Sequence, residues 1–318
     1  MSRIHQERKS DAGFGSTMLH ALKRSLMHAR GPWAAAPFLA GMLSACSPLN
    51  VLDTLVPAGE YDRQQGIAYG ELPRQKLDIY RPVKDIQSGP VVVFFYGGSW
   101  KSGAREKYRF IGEALTRKGL TVVIPDYRLY PDVAFPAFMN DAAKAVRWTL
   151  DNLAGSVPGG PARTGRPVFL AGHSAGAHIA ALMTVDSQYF DQAGVSSSQI
   201  CGVIGISGPY AFDPLEYRST RPVFAGLADS DIARPVKRIT GPTPPFLLLH
   251  GDADGTVRPS NTAAFAAALR SAGTRVRTEF LPDIGHYRII LAMATPFDDT
   301  APVNKRIFDF ITDRKDCR

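Results

Sequence analysis

The sequence predicts a doubly wound α/β domain with a mostly parallel sheet and a small inserted cap. Three observations carry that prediction. Short runs such as Val91-Val-Val-Phe-Phe-Tyr96 are apolar throughout, as strands buried on both faces are. These runs alternate with stretches of helical period. One of them passes through Gly172-His173-Ser174-Ala175-Gly176 into a helical stretch, a strand, a sharp turn and a helix.

Composition narrows the class. The chain has 318 residues, 45% hydrophobic and 21% charged, which excludes collagen-like and disordered chains. Three cysteines exclude a disulfide-dense scaffold. No C-x-x-C or paired Cys/His spacing is present, so no structural metal is expected. The net charge is +8, and half of it falls in the first 45 residues. The remainder is mildly basic and carries no nucleic-acid-binding block or motif.

The first 45 residues read as a signal segment at 18–45 behind a polar extension at 1–17. Lys23, Arg24 and Arg30 precede the apolar run GPWAAAPFLAGMLSA at 31–45. A positive region, a short apolar region and small residues mark a secretory signal. The run is shorter than the ~20 residues a hydrocarbon core requires, and Pro32 and Pro37 disfavour a membrane helix. Leu43-Ser44-Ala45-Cys46 resembles the bacterial lipobox. That resemblance implies an exported chain, lipid-anchored through Cys46. Ser47 after the cysteine implies the outer membrane, facing the periplasm.

Residues 46–69 read as a linker and 70–318 as the folded domain. Strands are expected at 76–81, 91–96, 120–124, 168–171, 203–206, 246–249 and 275–281. Helices are expected at 106–118, 137–153, 175–183 and 261–271, with a last one around 307–311. Gly119 and Gly273 stop two of them. Residues 209–240 break the alternation with prolines, aromatics and charges and read as the cap. Cys201 opens an apolar run and reads as a buried strand residue. Export permits a bridge from Cys201 to Cys317, but sequence does not show their proximity.

The chemistry gathers at Ser174. Side chains at 172 or 176 would collide in so sharp a turn, so glycine is needed at both. The turn lifts the Ser174 hydroxyl off the sheet edge and aims the next helix's N–H groups at a reacting oxygen. A serine hydroxyl needs a base. Four histidines follow residue 70, namely His173, His178, His250 and His286. His173 sits inside the turn, His178 on the helix after it, and His250 ends a strand beside an acidic turn.

Four segments together resemble the α/β-hydrolases, in particular hormone-sensitive-lipase-like and bacterial carboxylesterases. They are the Gly-x-Ser-x-Gly turn, Tyr96-Gly97-Gly98-Ser99-Trp100, Asp126-Tyr127-Arg128-Leu129 with Phe135-Pro136-Ala137, and His250-Gly251-Asp252-Ala253-Asp254-Gly255-Thr256-Val257. The resemblance implies Ser174 as nucleophile, His286 as base and Asp254 as the acid that orients it, with Asp252 the rival acid. It implies an oxyanion hole from the N–H groups of Gly98, Ser99 and Ala175. Tyr96 stands where the family usually has histidine, so the bracing of that loop must differ. Tyr96, Trp100 and His173 are candidates for lining the pocket. Arg128 is expected to pair with Asp126 or Asp141.

The function implied is a serine carboxylesterase acting on a small-molecule ester, without cofactor or metal. Rival readings keep the same residues: an arylformamidase, an esterase removing acetyl or feruloyl groups from polysaccharide, or a prolyl-oligopeptidase-type peptidase lacking its propeller. A retired hydrolase serving as a lipid-anchored binding protein is the non-enzyme alternative.

Overall fold

Eight strands form one sheet: β1 (Tyr61–Ala68), β2 (Lys76–Pro82), β3 (Val91–Phe95), β4 (Thr121–Pro125), β5 (Val168–His173), β6 (Ile200–Ile206), β7 (Phe246–Gly251) and β8 (Val276–Leu281). The computed structural model describes residues 61–83, 89–155, 165–295, 297–314 and 317. All of these belong to one compact unit. The expected signal segment, its polar extension, Cys46 and the start of the expected linker lie outside the described residues.

The strand order is β1-β2-β4-β3-β5-β6-β7-β8. β1 and β2 join antiparallel at one edge. Every other pair, from β4 through β8, is parallel. This is the mostly parallel, doubly wound sheet that the apolar runs predicted. Strands β3 to β7 are buried along their whole length, which is why they read as continuous Val/Ile/Leu/Phe rather than alternating.

The helices include α1 (Arg109–Thr116), α2 (Ala137–Asn152), α3 (Ala175–Val185), α4 (Gln188–Gln192), α5 (Arg221–Phe224), α6 (Ser260–Ser271), α7 (His286–Leu291) and α8 (Val303–Thr312). The first expected helix is divided. Its start is a 3₁₀ turn over Arg105–Tyr108, and α1 follows. Between β6 and β7 the expected cap carries α5 and 3₁₀ turns at Ser230–Ala233 and Pro235–Lys237. Arg128 chooses Asp141: its Nε and Nη2 donate to the two carboxylate oxygens at 2.8 and 2.9 Å.

Two expectations need correction. The second half of the expected linker is β1. Its sequence, YDRQQGIA, lacks apolar alternation because polar groups hold it to β2. Arg63 Nη2 donates to Asp78 Oδ2 at 2.8 Å, and the Gly66 N–H donates to Asp78 Oδ1 at 2.9 Å. Gly66, at φ 68°, marks the register shift in that pairing. The second concerns thiols. Cys201 and Cys317 form a disulfide across 116 residues, tying the C-terminal end to β6.

Among the described residues, no helix is long and apolar enough to cross a membrane. The functional candidates all follow C-terminal ends of parallel strands: Gly97 and Gly98 after β3, Ser174 after β5, Asp254 after β7 and His286 after β8. An open α/β sheet presents its ligand crevice at that edge.

Candidate active site

Ser174 sits between β5 and α3 with φ 55° and ψ −121°, a conformation side-chain-bearing residues rarely adopt. The flanking glycines explain how the turn closes. A β-carbon on Gly172 would lie 2.4 Å from the Gly176 carbonyl carbon, and one on Gly176 would lie 2.0 Å from the Phe95 oxygen. Both clashes are with backbone, so only glycine fits. Strain at Ser174 is thus held by close packing on both sides.

His286 opens α7 and turns its ring toward Ser174. Its Nε2 lies 2.9 Å from Ser174 Oγ, and its Nδ1 lies 2.7 Å from Asp254 Oδ2. A carboxylate only accepts, so Nδ1 carries the proton and Nε2 is free to accept from the serine. Asp254 is buried, which alone would raise its pKa. Hydrogen bonds from His250 and His286, the charge on His286 and the Val257 N–H outweigh burial and hold it well below the usual carboxylate range. Its other oxygen accepts from the Thr256 and Val257 N–H groups at 2.9 and 2.8 Å. The rival, Asp252, is exposed and accepts from the Asp283 N–H at 2.8 Å; its Oδ1 is occupied by that turn.

His250 braces the acid turn from below. Its Nε2 donates to the Val257 carbonyl at 2.9 Å and lies 3.3 Å from Asp254 Oδ2. Its Nδ1 accepts from the Thr262 hydroxyl at 2.7 Å.

The glycine loop after β3 reaches Ser174. A β-carbon on Gly97 would meet the Ser174 β-carbon at 3.0 Å. Gly98, Ser99 and Trp100 all have positive φ, at 129°, 53° and 60°. The Lys101 and Ser102 N–H groups both donate to the Gly98 carbonyl, at 3.0 and 3.1 Å, and close the turn. Among the described residues, no acceptor takes the N–H of Gly98, Ser99 or Ala175; for Ala175, first in its helix, none is expected. Three donors without acceptors beside a serine are what a developing oxyanion requires.

Three pocket expectations change. Tyr96 is fully buried, and its hydroxyl is taken up by polar partners outside the site. Its hydroxyl donates to Asp126 Oδ1 at 2.7 Å and accepts from Arg74 Nη2 at 2.9 Å. Asp126 also accepts from the Arg105 backbone N–H at 2.8 Å and pairs with the Arg105 guanidinium. Arg74 donates to the Gly103 carbonyl at 3.0 Å, beyond the far side of the loop. The Tyr127 hydroxyl holds the Tyr96 carbonyl at 2.7 Å. Tyr96 is therefore a strut for the loop. Arg74 and Arg105 carry no motif signal, and sequence reasoning missed them.

His173 is 3% exposed and packs behind His286 instead of lining a pocket. Trp100 is 2% exposed. It packs edge-on against His178 and Phe224 and flat against Phe212. Phe212 and Phe224 belong to the cap, so the cap rests directly on the residue that ends the glycine loop. His178, also buried, hydrogen-bonds the cap carbonyl of Ala233 at 2.7 Å.

The model of the BD-FAE family matches residues 77–269, more than half of the chain and inclusive of Ser174 and Asp254. The chain belongs to the BD-FAE family of α/β-hydrolase esterases. A probable isoprenylcysteine alpha-carbonyl methylesterase of Arabidopsis thaliana is 30% identical over 236 residues, 67% of this chain and 48% of that protein. Esterase LipC of Mycobacterium tuberculosis is 30% identical over 253 residues, 71% and 60% of the two chains. A kynurenine formamidase of Danio rerio is 25% identical over 232 residues, 70% and 74%. The chain thus spans about half the length of the plant methylesterase. This BD-FAE member also shares its fold with esterase B of Lactobacillus rhamnosis, at TM-score 0.67 and 21% identity over 87% of this chain and 97% of that one. A gut-microbiota carbohydrate esterase superposes at TM-score 0.65 and 19% identity, covering 81% and 99%.

Proposed function

We propose that this chain is a serine carboxylesterase cleaving short-chain or aryl carboxylic esters through an acyl-enzyme on Ser174. The observation that carries the reading is the continuous path from Ser174 Oγ through His286 to Asp254, at 2.9 and 2.7 Å.

The proposed cycle follows from that path. Ser174 Oγ attacks the ester carbonyl carbon as His286 Nε2 takes its proton. Negative charge forms on the carbonyl oxygen and meets the N–H groups of Gly98, Ser99 and Ala175. Asp254 stays ionised and stabilises the imidazolium. The tetrahedral adduct collapses, the C–O bond to the alcohol breaks, and His286 returns the proton to the departing oxygen. Water then repeats the sequence on the acyl-enzyme and releases the acid.

Similarity to a kynurenine formamidase supports a second reading, an arylformamidase, in which the same residues cleave a formamide. A polysaccharide acetyl or feruloyl esterase would also use them. Hydrolysis of p-nitrophenyl esters from acetyl to dodecanoyl, beside an aryl formamide and an acetylated or feruloylated sugar, separates these. The ester reading expects turnover of the short esters and none by Ser174→Ala. Folded wild-type protein inert on every substrate would overturn it and favour the binding-protein alternative.

We further propose export and lipid anchoring at Cys46 in the bacterial envelope. The lipobox-like residues support it, and so does the Cys201–Cys317 disulfide, which suits an oxidising compartment. Metabolic labelling with a fatty acid should mark the wild type and not Cys46→Ala. Equal labelling of both would defeat the proposal.

A further inference from the structure

The N–H groups of Gly98, Ser99 and Ala175 come from two separate pieces of chain. Gly98 and Ser99 lie in the loop after β3, and Ala175 opens α3. Gly97 and Gly176 pack these pieces together at their base. Past that contact the gap between them depends on side chains, and an oxyanion is stabilised only by donors already fixed at the right spacing. Each piece carries a buried ring close to its donors. Trp100 directly follows Ser99. His178 lies one turn into α3, its N–H donating to the Ser174 carbonyl at 3.1 Å.

The cap supplies a third ring, and it touches both. Phe224 ends α5 and is fully buried. Its ring stands edge-on to Trp100, with centroids 4.9 Å apart and planes at 90°, and edge-on to His178 at 6.2 Å and 77°. Trp100 and His178 meet each other edge-on at 5.0 Å and 81°, so the three rings close a triangle. Edge-to-face pairs have a preferred geometry that aliphatic contacts lack. The backbone of this cap segment is itself tethered: the Phe135 N–H donates to the Val223 carbonyl at 2.9 Å. The loop needs such support. Ser99 and Trp100 both have positive φ, at 53° and 60°, a conformation that persists only where its surroundings hold it.

Resting on the esterase reading, we propose that Phe224 is a positioning residue for that reaction, setting the spacing between the loop donors and the helix donor through Trp100 and His178. It touches no substrate atom. The same donors serve the oxyanion formed by serine attack and the one formed by water attack, so acylation and deacylation depend on Phe224 alike. The cap then takes part in stabilising the transition state as well as covering the site.

The test uses the full chain with Phe224→Leu and Phe224→Met. Both fill most of the space and carry no ring, and having two guards against one failing to fold. Phe135→Leu is the control. It removes a ring that packs on Phe138 and Phe224 and leaves the triangle whole. The substrates are p-nitrophenyl acetate and p-nitrophenyl hexanoate. The inhibitor is 1,1,1-trifluorohexan-2-one, whose serine adduct carries a tetrahedral oxyanion. In both Phe224 variants kcat should fall about tenfold to hundredfold on both esters, the scale of a misplacement of about 1 Å. KM should stay within about twofold, and Ki for the ketone should rise by the factor that kcat/KM loses. Phe135→Leu should lose stability in urea and keep kcat within about threefold. Unchanged kcat in a folded Phe224 variant overturns the proposal. So does an equal loss in Phe135→Leu, which would be general loosening of the cluster. A change in KM alone, or a loss that differs between acetate and hexanoate, makes Phe224 a pocket wall and overturns it too. Wild type that neither hydrolyses an ester nor binds the ketone fails differently, because then the esterase reading itself falls.

Discussion

The imidazole of His173 donates its Nε2–H to the backbone carbonyl of His286, 113 residues downstream, at 3.0 Å. The residue before Ser174 thus holds the peptide of His286. Burial drives the His173 pKa down to about 3, so it stays neutral near pH 7. A neutral strut fixes His286 without adding a charge beside its ring.

His173→Phe keeps a ring and removes the donor. With His286 less firmly held, kcat should fall ~10–100-fold, the scale of a misplacement of about 1 Å. KM should move much less. Circular dichroism alongside steady-state kinetics checks this; an unchanged kcat in a folded variant counts against the strut.

The two candidate acids give opposite expectations. Asp254→Asn keeps the shape but lets Nδ1 act as an acceptor, placing the wrong tautomer beside Ser174. A loss of ~10⁴-fold in kcat is the scale for that change. Asp252→Asn touches only a surface turn and should leave kcat within about twofold, as surface substitutions do. Assaying both with one ester decides between them.

Tyr96→Phe deletes a buried hydroxyl that joins Asp126 to Arg74. The cost should be about 1–2 kcal/mol of stability, since a charged acceptor loses a partner. The oxyanion loop should loosen as well, so kcat drops while KM holds. Urea unfolding and kinetics on the same preparation read both effects. A variant as stable and as fast as wild type would remove Tyr96 from any bracing role.

Acid should weaken the fold in a defined window. Burial lowers His173 from 6.5 to about 3 and His178 from 6.5 to about 4. Above 6.5 both are neutral in the folded and unfolded chain, so their contribution is complete. Below it the unfolded chain takes up protons that the folded chain refuses. Stability is therefore lost progressively as pH falls from 6.5 toward 3. Asp254, held low in the fold, extends the loss at still lower pH. Urea midpoints at pH 7.5, 6, 5 and 4 should decline, and His178→Gln should flatten the slope by roughly one proton. A slope identical to wild type would show that His178 protonates as readily in the fold as outside it.

What the sequence discloses divides by distance along the chain. The turn at Ser174 is legible because its glycines, strand and helix are consecutive and the sterics are local. The fully buried strands are legible because burial on both faces makes their sequences mostly Val, Ile, Leu and Phe, with polar residues confined to their ends. Asp254 and His286 fall within hydrogen-bonding distance, but only motif resemblance pointed to them beforehand. β1 escaped because one ion pair and a backbone hydrogen bond to Asp78, rather than apolar alternation, help hold it in the sheet. The roles of Tyr96 and His173 escaped because each depends on a partner 30 or 113 residues away. Seen alone, an aromatic residue near a catalytic loop suggests a pocket wall as readily as a strut.

The Cys201–Cys317 bond has a topological consequence. It closes a covalent ring that contains the cap, Asp254 and His286, while Ser174 lies outside it on the uninterrupted chain. A single protease cut inside that ring, including any cut in the cap, leaves both pieces joined. Such a nicked molecule would run as an intact chain on a gel without reductant and separate into two bands with it. Asp254 and His286 would then stay tied to the rest of the chain after a cut in the cap.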